Sequence, residues 1–571
     1  MSDHDLIIRG GTVLDGTGAG PRTADVAVRD GLVTEVGHLD GTAARTIDAD
    51  GLLVTPGFVD IHAHYDGQAS WGERMVPSSW HGVTTVVAGN CGVGFAPVHP
   101  GDHERLIELM EGVEDIPGVV LSEGLSWQWR SFPEFMDAVG GGTFDMDVAL
   151  QVPHGALRLH VMGERGAARE PATADDIARM ARLAAEGIEA GALGFTTSRT
   201  LNHRTSRGEP TPTLTAEADE LVGIACAIGE TGRGVLQVVS DFVDVDAEFG
   251  LFRRMAAESG RPLSFSLVQT RGATWRRQLD LLSQANAEGV TMAAQVAPRA
   301  VGLLLGLQCT LHPLMRNSAY REIAHQPLAE QVAVMANPAF RARVLAAHEE
   351  ERRRGRIIGG YESMYVLGDP PDYEPDPADS LAARAERAGC DPVELAYDHM
   401  LTDGGRAFLY VPLLNYADGN LDAAGEMLAH PHTVPGLGDG GAHLGTICDA
   451  SFPTTLLTLW GRDRDRGRLP LPYLVRQHTA DTARTVGLLD RGVLAPGYRA
   501  DVNVIDFDNL VARRPEMRHD LPAGGRRLVQ AADGYVATVA AGQVTYENGE
   551  PTGALPGRLV RGPQPAPGGA R

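Results

Sequence analysis

Apolar and polar residues follow two different patterns in this chain, one near its ends and another in its long middle. Short apolar segments separated by turn residues fill residues 5–55 and return from residue 499 onward. A tight hairpin is predicted at Asp30, because Asp followed by Gly between two apolar segments favours that turn. These patterns indicate one small β-sandwich built by both chain ends, residues 1–56 together with 487–571.

The middle of the chain, residues 57–486, alternates strand-like apolar runs with segments of helical period. The run at 83–88 is typical of a buried strand, and a capping box at Thr173 predicts the start of a helix. This alternation is the signature of βα units around a parallel sheet. Residues 317–399 do not follow this alternation of strand-like and helical segments. This predicts an insertion over the carboxyl-terminal mouth of the sheet, and a simple surface excursion is the alternative.

One buried-strand pattern ends in a pair of histidines, which is the strongest chemical signal in the sequence. The run from Gly57 to Ile61 is apolar apart from one aspartate, and His62 and His64 follow it. Side chains two residues apart on a strand face the same side, so both imidazoles can bind one metal ion from a single rigid element. The alternative is that both are ordinary core or surface histidines.

Composition excludes several other classes of protein. The 571 residues carry a formal net charge of −24, which disfavours nucleic acid and anionic membranes as partners. No uninterrupted apolar run approaches the length of a membrane span, and the N-terminus does not resemble a signal peptide. Five widely spaced cysteines without a CxxC pair argue against disulfides. We therefore expect a cytoplasmic protein with reduced thiols.

The chain contains no lysine, so all 50 of its Lys and Arg side chains are arginine. Genomic base bias explains such a composition without any functional cause. The chemical consequence holds in either case. A chain without lysine forms neither a lysine Schiff base nor a carboxylated lysine that bridges two metal ions.

Three motifs, taken in order, resemble one known family. They are the strand that carries His62 and His64, the segment Gly89-Asn-Cys-Gly, and the segment Gly438-Asp-Gly-Gly-Ala-His. The sequence resembles the amidohydrolase superfamily and, within it, the D-aminoacylases, which are N-acyl-D-amino-acid deacylases. The resemblance implies an α/β fold: a metal-dependent hydrolase (β/α)8 TIM barrel plus the small terminal β-sandwich, a size that 571 residues accommodate.

The resemblance also implies the members of a metal centre. His62 and His64 are implied ligands, and Cys91 is implied as the ligand that replaces the carboxylated lysine, in agreement with the missing lysines. A buried inert thiol is the alternative for Cys91. Asp439 is implied to bind the metal and to carry protons as the general base and acid, and a simple turn aspartate is its alternative.

The chain departs from the family in one respect. The family takes a further histidine from the fifth barrel strand and another from the sixth, but this chain has none between His203 and His312. Leu267 stands about where the second imidazole is expected. We therefore predict one divalent transition metal, most simply Zn²⁺, with iron or manganese as alternatives. Cys91 either completes its ligands or borders them.

Further candidates lie in segments expected to follow strands. His154 is a candidate to orient the substrate or stabilise an oxyanion, with a structural hydrogen-bonding role as the alternative. His443 is a candidate extra ligand, substrate contact or partner of the catalytic aspartate. His203 is interpreted as a loop residue. Three arginines are candidates for a substrate carboxylate: Arg199, Arg271 and Arg299.

The sequence thus predicts a metal-dependent amidohydrolase that cleaves a linear amide, with an N-acyl-D-amino acid or a related N-acylated small molecule as substrate. One alternative is a hydrolase, lyase or decarboxylase with the same fold and another substrate. Another is a non-catalytic barrel that acts as a binding or scaffold protein. Homo-oligomerisation stays open.

Overall fold

The computed structural model describes residues 2–354 and 360–568. The first residue and the last three residues of the expected sandwich range, and five residues within the expected insertion, lie outside these ranges. Among the described residues, no helix is both long and apolar enough to span a lipid bilayer.

Eight parallel strands form one curled sheet in the middle of the chain, ordered in space as in sequence. Barrel strands 1 to 8 are Phe58–Asp60, Val83–Ala88, Asp147–Pro153, Gly194–Arg199, Val235–Ser240, Leu263–Leu267, Met292–Val296 and Thr433–Pro435. The chain beyond strands 1 and 8 closes the ring, because Ala63 pairs with Gly440 and the His64 amide donates to the Gly440 carbonyl oxygen over 2.7 Å. The expected (β/α)8 barrel is confirmed.

Amphipathic helices cover the outside of the barrel. The longer ones are His103–Glu114, Gly118–Gly124, Phe132–Gly140, His154–Met162, Ala174–Glu189, Ala218–Glu230, Val245–Ser259, Thr274–Ala287, Asp422–Leu428, Phe452–Thr458 and Leu471–Arg476. The capping box predicted at Thr173 is present: its hydroxyl accepts from the Asp176 amide at 3.2 Å, and the Asp176 carboxylate accepts from the Thr173 amide at 2.9 Å. This box ends the preceding loop and fixes where the helix begins.

Alternation along each barrel strand decides which side chains face the interior. On strand 6, the Phe265 ring packs 5.8 Å from the ring of Phe249 on an outer helix, and Leu267 shares that outward face. The Ser264 hydroxyl accepts a hydrogen bond from a strand 7 glutamine and therefore faces inward, as does Ser266 two residues later. The interior of strand 6 is thus lined by hydroxyl groups.

Both chain ends contribute to one nine-stranded sheet, as the terminal patterns predict. Its strands are His4–Val13, Arg22–Arg29, Leu32–Gly37, Ala43–Asp48, Leu53–Pro56, Val502–Ile505, Tyr535–Ala540, Gln543–Glu547 and Glu550–Pro551. The hairpin predicted at Asp30 is present, with φ of 52° at Asp30 and 76° at Gly31. The first strand pairs with Ala43–Asp48 along one half and Leu53–Pro56 along the other, so the sheet wraps around its own valine-rich core.

A long excursion separates barrel strands 7 and 8. Its described residues form a three-stranded antiparallel sheet, a core of their own and five helices: Leu328–Met335, Pro338–Arg353, Leu381–Ala388, Pro392–Met400 and Thr402–Gly405. The sheet strands Val301–Leu305 and Leu409–Leu414 pair with each other, so the excursion exceeds the expected 317–399 at both ends. The Thr310 amide donates to the Gly445 carbonyl oxygen at 2.9 Å, which brings the excursion over the carboxyl-terminal mouth of the barrel.

Candidate metal centre

Four side chains from three loops converge at the carboxyl-terminal end of the barrel. His62 and His64 follow strand 1, Cys91 lies in the turn after strand 2, and Asp439 follows strand 8. The donor atoms of His62, His64 and Cys91 all lie within 4.8 Å of one another. The Asp439 amide donates to the His62 carbonyl oxygen at 2.9 Å, which joins the two ends of the ring at this point. The structure therefore brings together all four ligands expected from the sequence.

The backbone around Cys91 is shaped to aim its thiol at the histidines. Cys91 adopts a φ of 57°, and Asp439 one of 48°, a region that residues other than glycine adopt uncommonly. Gly89 has a φ of 85°, and a Cβ there would lie 2.4 Å from the carbonyl oxygen of Gln151. Only glycine fits this position.

The spacing of the donor atoms suits a metal ion. The distance is 3.4 Å from Cys91 Sγ to His62 Nε2 and 3.4 Å from His62 Nε2 to Asp439 Oδ1. It is 3.6 Å from His64 Nε2 to Asp439 Oδ1. Ligands bonded tetrahedrally to zinc at about 2.0–2.3 Å lie roughly 3.3–3.7 Å apart. These residues fit a bound metal.

The buried polar atoms of His64 support the same conclusion. The residue is 1% exposed, and neither ring nitrogen has a hydrogen-bond partner among the described residues. A buried polar group without a partner destabilises a protein by about 1–3 kcal/mol. A metal ion bound at Nε2 satisfies that one of the two nitrogens.

Burial and mutual charge set the protonation of these groups. Burial lowers the pKa of His62 to about 4, so its ring is neutral and offers a lone pair. Burial acts to raise the pKa of Asp439, but the neighbouring His64 and His62 outweigh it and hold this pKa below its ordinary value. Burial raises the pKa of the Cys91 thiol to about 12, so metal binding there releases a proton.

A glutamine on strand 7 fixes the orientation of His62. Gln295 Oε1 lies 2.7 Å from His62 Nδ1, and its amide nitrogen donates to the Ser264 hydroxyl at 3.0 Å. Because that nitrogen is the donor, Oε1 accepts from Nδ1–H, which leaves the Nε2 lone pair directed at the cluster. The sequence analysis missed Gln295, although its position on an interior strand face is a signal that could have found it.

Two further residues border the centre. His443 Nε2 lies 4.0 Å from Asp439 Oδ2, so this candidate does lie beside the aspartate. Glu114, which the sequence analysis missed, is 1% exposed and lies 3.4 Å from His64 Nδ1 through Oε1. Its position at the end of an outer helix gives no signal of this contact in the sequence.

His203 lies in a loop, as the sequence interpretation has it. It lies in the loop after strand 4, and Nδ1 is 2.8 Å from the hydroxyl of Ser198. Burial lowers the pKa of His203 to about 3, and the nearby His443 and His64 lower it further. Its ring is therefore neutral.

His154 does not face the centre. It is the first residue of helix His154–Met162, and its ring nitrogens lie 2.8 Å from the Thr197 hydroxyl and 2.8 Å from a Glu220 carboxylate oxygen. Thr197 shares the outward face of strand 4 with Phe195, so His154 packs in the layer between barrel and helices. This placement favours the structural hydrogen-bonding alternative over a contact with substrate.

Two of the three candidate arginines are engaged within the protein. Arg199, at the outward-facing end of strand 4, forms a bidentate ion pair with Glu248 at 2.8–3.3 Å. Arg299 is 1% exposed, contacts Asp449 at 3.2 Å and lies 3.5 Å above the ring of Tyr373. Both guanidinium groups are paired with carboxylates of the protein itself, which argues against a role of either in binding a substrate carboxylate.

Arg271 is placed differently. It lies exposed in the loop after strand 6, at the mouth of the barrel, and makes no hydrogen bond or ion pair within the described ranges. Of the three arginines, it alone keeps its guanidinium available for an anionic ligand.

The interior positions of strands 5 and 6 carry no imidazole. Both polar side-chain atoms of Gln237 on strand 5 and the hydroxyl of Ser266 on strand 6 are buried without partners among the described residues. Leu267, expected near the missing imidazole, faces the outer helices instead. The group of His, Cys, Asp and Glu donors that the described residues bring together is the one at His62, His64 and Cys91.

Comparison with known proteins agrees with this fold. The model of the amidohydrolase family matches residues 45–546. An N-acyl-D-aspartate deacylase of Alcaligenes xylosoxydans xylosoxydans is 27% identical, over 99% of this chain and 96% of its own length. The chain therefore belongs to the amidohydrolase family, and the resemblance to D-aminoacylases found in the sequence is confirmed.

Two solved structures share the fold over nearly the whole chain. One is a D-aminoacylase with a binuclear metal centre, 24% identical, with a TM-score of 0.64 over 98% of this chain and 100% of its own. The other is the N-acyl-D-glutamate deacylase of Bordetella bronchiseptica in complex with zinc and a phosphonate inhibitor, 24% identical, with a TM-score of 0.64 over 98% and 99%. Membership in this family supports metal-dependent amide hydrolysis in general terms.

Proposed function

We propose that this protein is a zinc-dependent deacylase that hydrolyses the amide bond of an N-acyl-D-amino acid. The observation that carries the proposal is the convergence of His62, His64, Cys91 and Asp439 at the mouth of an amidohydrolase barrel. The deacylase relatives named above supply the substrate class.

The roles of the residues follow from their positions. His62, His64, Asp439 and Cys91 would hold a zinc ion, which would have to accept a fifth ligand to bind water. The ion would supply a water molecule with a pKa lowered towards about 7 and would polarise the scissile carbonyl. Asp439 accepts the proton of the attacking water on Oδ2, the oxygen that faces His443. It then gives that proton to the nitrogen of the leaving amine, first as general base and then as general acid.

One metal ion per chain is the proposed stoichiometry. The imidazoles of strands 5 and 6 that the family uses are absent, and Gln237 and Ser266 face the interior there. In the D-aminoacylase with a binuclear centre, one metal activates and the second attenuates. A single ion is therefore compatible with activity.

The substrate carboxylate is assigned to Arg271. Its guanidinium is exposed at the mouth and unpaired within the described ranges, whereas Arg199 and Arg299 are held by Glu248 and Asp449. A guanidinium binds a carboxylate through two parallel hydrogen bonds, which also orients it.

A substrate panel tests the proposal. Zinc-loaded protein is incubated with matched N-acetyl-D- and N-acetyl-L-amino acids carrying acidic, apolar and small side chains, and the released amine is quantified. We expect hydrolysis of at least one D-compound in clear preference to its L-enantiomer. Release from L-compounds only, or from none while another small amide is cleaved, would contradict the proposed substrate class.

A further inference from the structure

The carboxylate of Glu114 is buried between two imidazoles, and the mechanism proposed above gives it no role. Glu114 is the last residue of helix His103–Glu114 and is 1% exposed. Oε1 lies 3.4 Å from His64 Nδ1, and Oε2 lies 3.7 Å from His443 Nε2. Each oxygen therefore faces a different ring. Oε1 has no hydrogen-bond partner among the described residues.

The backbone around Glu114 is tied to the loop that carries His443. The His443 amide donates to the Glu114 carbonyl oxygen. Asp115, with a φ of 52°, accepts through Oδ2 from the Gly445 amide at 3.2 Å and from the Thr446 hydroxyl at 3.1 Å. These hydrogen bonds fix the end of the outer helix to the loop after strand 8. The contact between Glu114 and His64 also places it beside the loop after strand 1.

The chemistry of a histidine ligand explains what such a carboxylate does. An imidazole that binds a metal through Nε2 carries its proton on Nδ1 and usually donates it to a carboxylate or carbonyl oxygen, which fixes the ring and strengthens the ligand. His62 has this partner in Gln295. For His64, the carboxylate on the Nδ1 side is Glu114.

We propose that Glu114 is a positioning residue that holds His64 and His443 in the metal centre, one imidazole on each carboxylate oxygen. This inference rests on the proposed function, because it takes His64 as a metal ligand. A carboxylate has two acceptor oxygens, whereas the amide of glutamine has one oxygen and one NH₂ group. In Glu114→Gln, one imidazole keeps an acceptor and the other faces a donor.

The test measures metal binding as well as activity. Zinc affinity of metal-free protein is measured by competition with a chelator, and the visible spectrum of the Co²⁺-loaded protein reports the geometry around the ion. We expect Glu114→Gln to bind zinc about 10–100-fold more weakly and to shift the Co²⁺ spectrum, as is usual when the partner of a ligating histidine is lost. The matched control is Glu111→Gln, on the same helix, whose carboxylate accepts from the Gly118 amide instead; it should bind like wild type.

A second variant protects the test against a folding defect. Glu114→Asp keeps the charge and both oxygens, but its side chain is shorter by one methylene group, so the oxygens lie farther from the imidazoles. This variant too should weaken zinc binding. Wild-type zinc affinity and spectrum in both variants would overturn the inference and leave the proposed function intact. A wild-type protein that binds no zinc and hydrolyses no amide would instead overturn the proposed function.

Discussion

In the proposed mechanism Asp439 has two tasks, one for each oxygen of its carboxylate. Oδ1 lies 3.4 Å from His62 Nε2 and 3.6 Å from His64 Nε2, where it would complete the metal ligands. Oδ2 faces His443 at 4.0 Å and is placed to carry the proton. Substitution separates these tasks, because an amide retains an oxygen that binds metal but has no basic site.

Asp439→Asn should therefore keep its metal at saturating zinc and lose at least about 100-fold in kcat, the usual contribution of general acid–base catalysis. The measurement combines metal analysis with steady-state hydrolysis of the best substrate of the panel. An Asp439→Asn enzyme with near wild-type kcat would rule out this residue as the proton carrier.

Cys91 is proposed as a metal ligand, with an inert buried thiol as the alternative. Its Sγ lies 3.4 Å from His62 Nε2. Cys91→Ala should lower metal affinity, whereas Cys309→Ala, which removes an equally buried thiol from the excursion, should not. Chelator competition measures both affinities. Full metal occupancy and normal activity in Cys91→Ala would show that the thiol only borders the site.

The buried imidazole of His478 should make the free energy of unfolding depend on pH. Burial lowers its pKa to about 3, and neither ring nitrogen has a partner among the described residues. The unfolded chain takes up a proton near pH 6.5, so the unfolded state binds more protons than the folded state between about pH 6.5 and 3. The stability linked to this neutral ring is present above pH 6.5 and is lost as the pH falls.

Substitution of His478 removes this pH-dependent contribution to the free energy of unfolding. Between about pH 5.5 and 4, the free energy of unfolding of wild type should fall more steeply than that of His478→Leu, by about 1.4 kcal/mol per pH unit. Urea unfolding across this range gives both slopes. Parallel slopes would show that His478 does not stay neutral in the folded protein.

At the scale of the element, strand period made part of the site predictable from the sequence. His62 and His64 are two residues apart on an extended segment, so their common direction follows from backbone geometry alone. The same period explains the pairing of Arg199: because Ser198 faces inward, its neighbour Arg199 has to face outward, toward Glu248.

Contacts between elements distant in sequence could not be predicted in the same way. Glu114 reaches His64 because an outer helix ends beside the barrel mouth, and no local pattern encodes that approach. The placement of His154 could not be predicted because the chain turns from strand 3 directly into a helix, whose first residue points into the layer between barrel and helices. That of Arg299 could not be predicted because the excursion covers it with Tyr373.

Substitution of the two histidines that follow strand 1 allows loss of the metal to be separated from loss of the fold. Barrel stability comes from the packed side chains between the sheet and its helices, so the metal ligands contribute little to it. The double variant His62→Ala with His64→Ala should lose its metal and keep most of its secondary structure. Circular dichroism and metal analysis report the two properties, and global unfolding of the variant would mean that the metal is structural.

At the scale of the whole molecule, three parts meet around the metal centre. The barrel supplies the ligands, and the excursion reaches the mouth through Thr310. The carboxyl-terminal part contributes Leu528, whose amide donates to the Leu444 carbonyl oxygen in the loop that carries His443. The barrel and the shared terminal sheet could be predicted from apolar patterns. How the excursion covers the mouth could not, because that depends on long-range packing.

The central claim is that one metal ion held at this mouth supports amide hydrolysis, and a titration tests it most directly. Metal-free protein receives increasing zinc while hydrolysis of its best N-acyl-D-amino acid is followed. We predict that activity rises from near zero and reaches its plateau at about one equivalent of zinc per chain. Activity that does not depend on added metal, or that requires two equivalents, would contradict the claim.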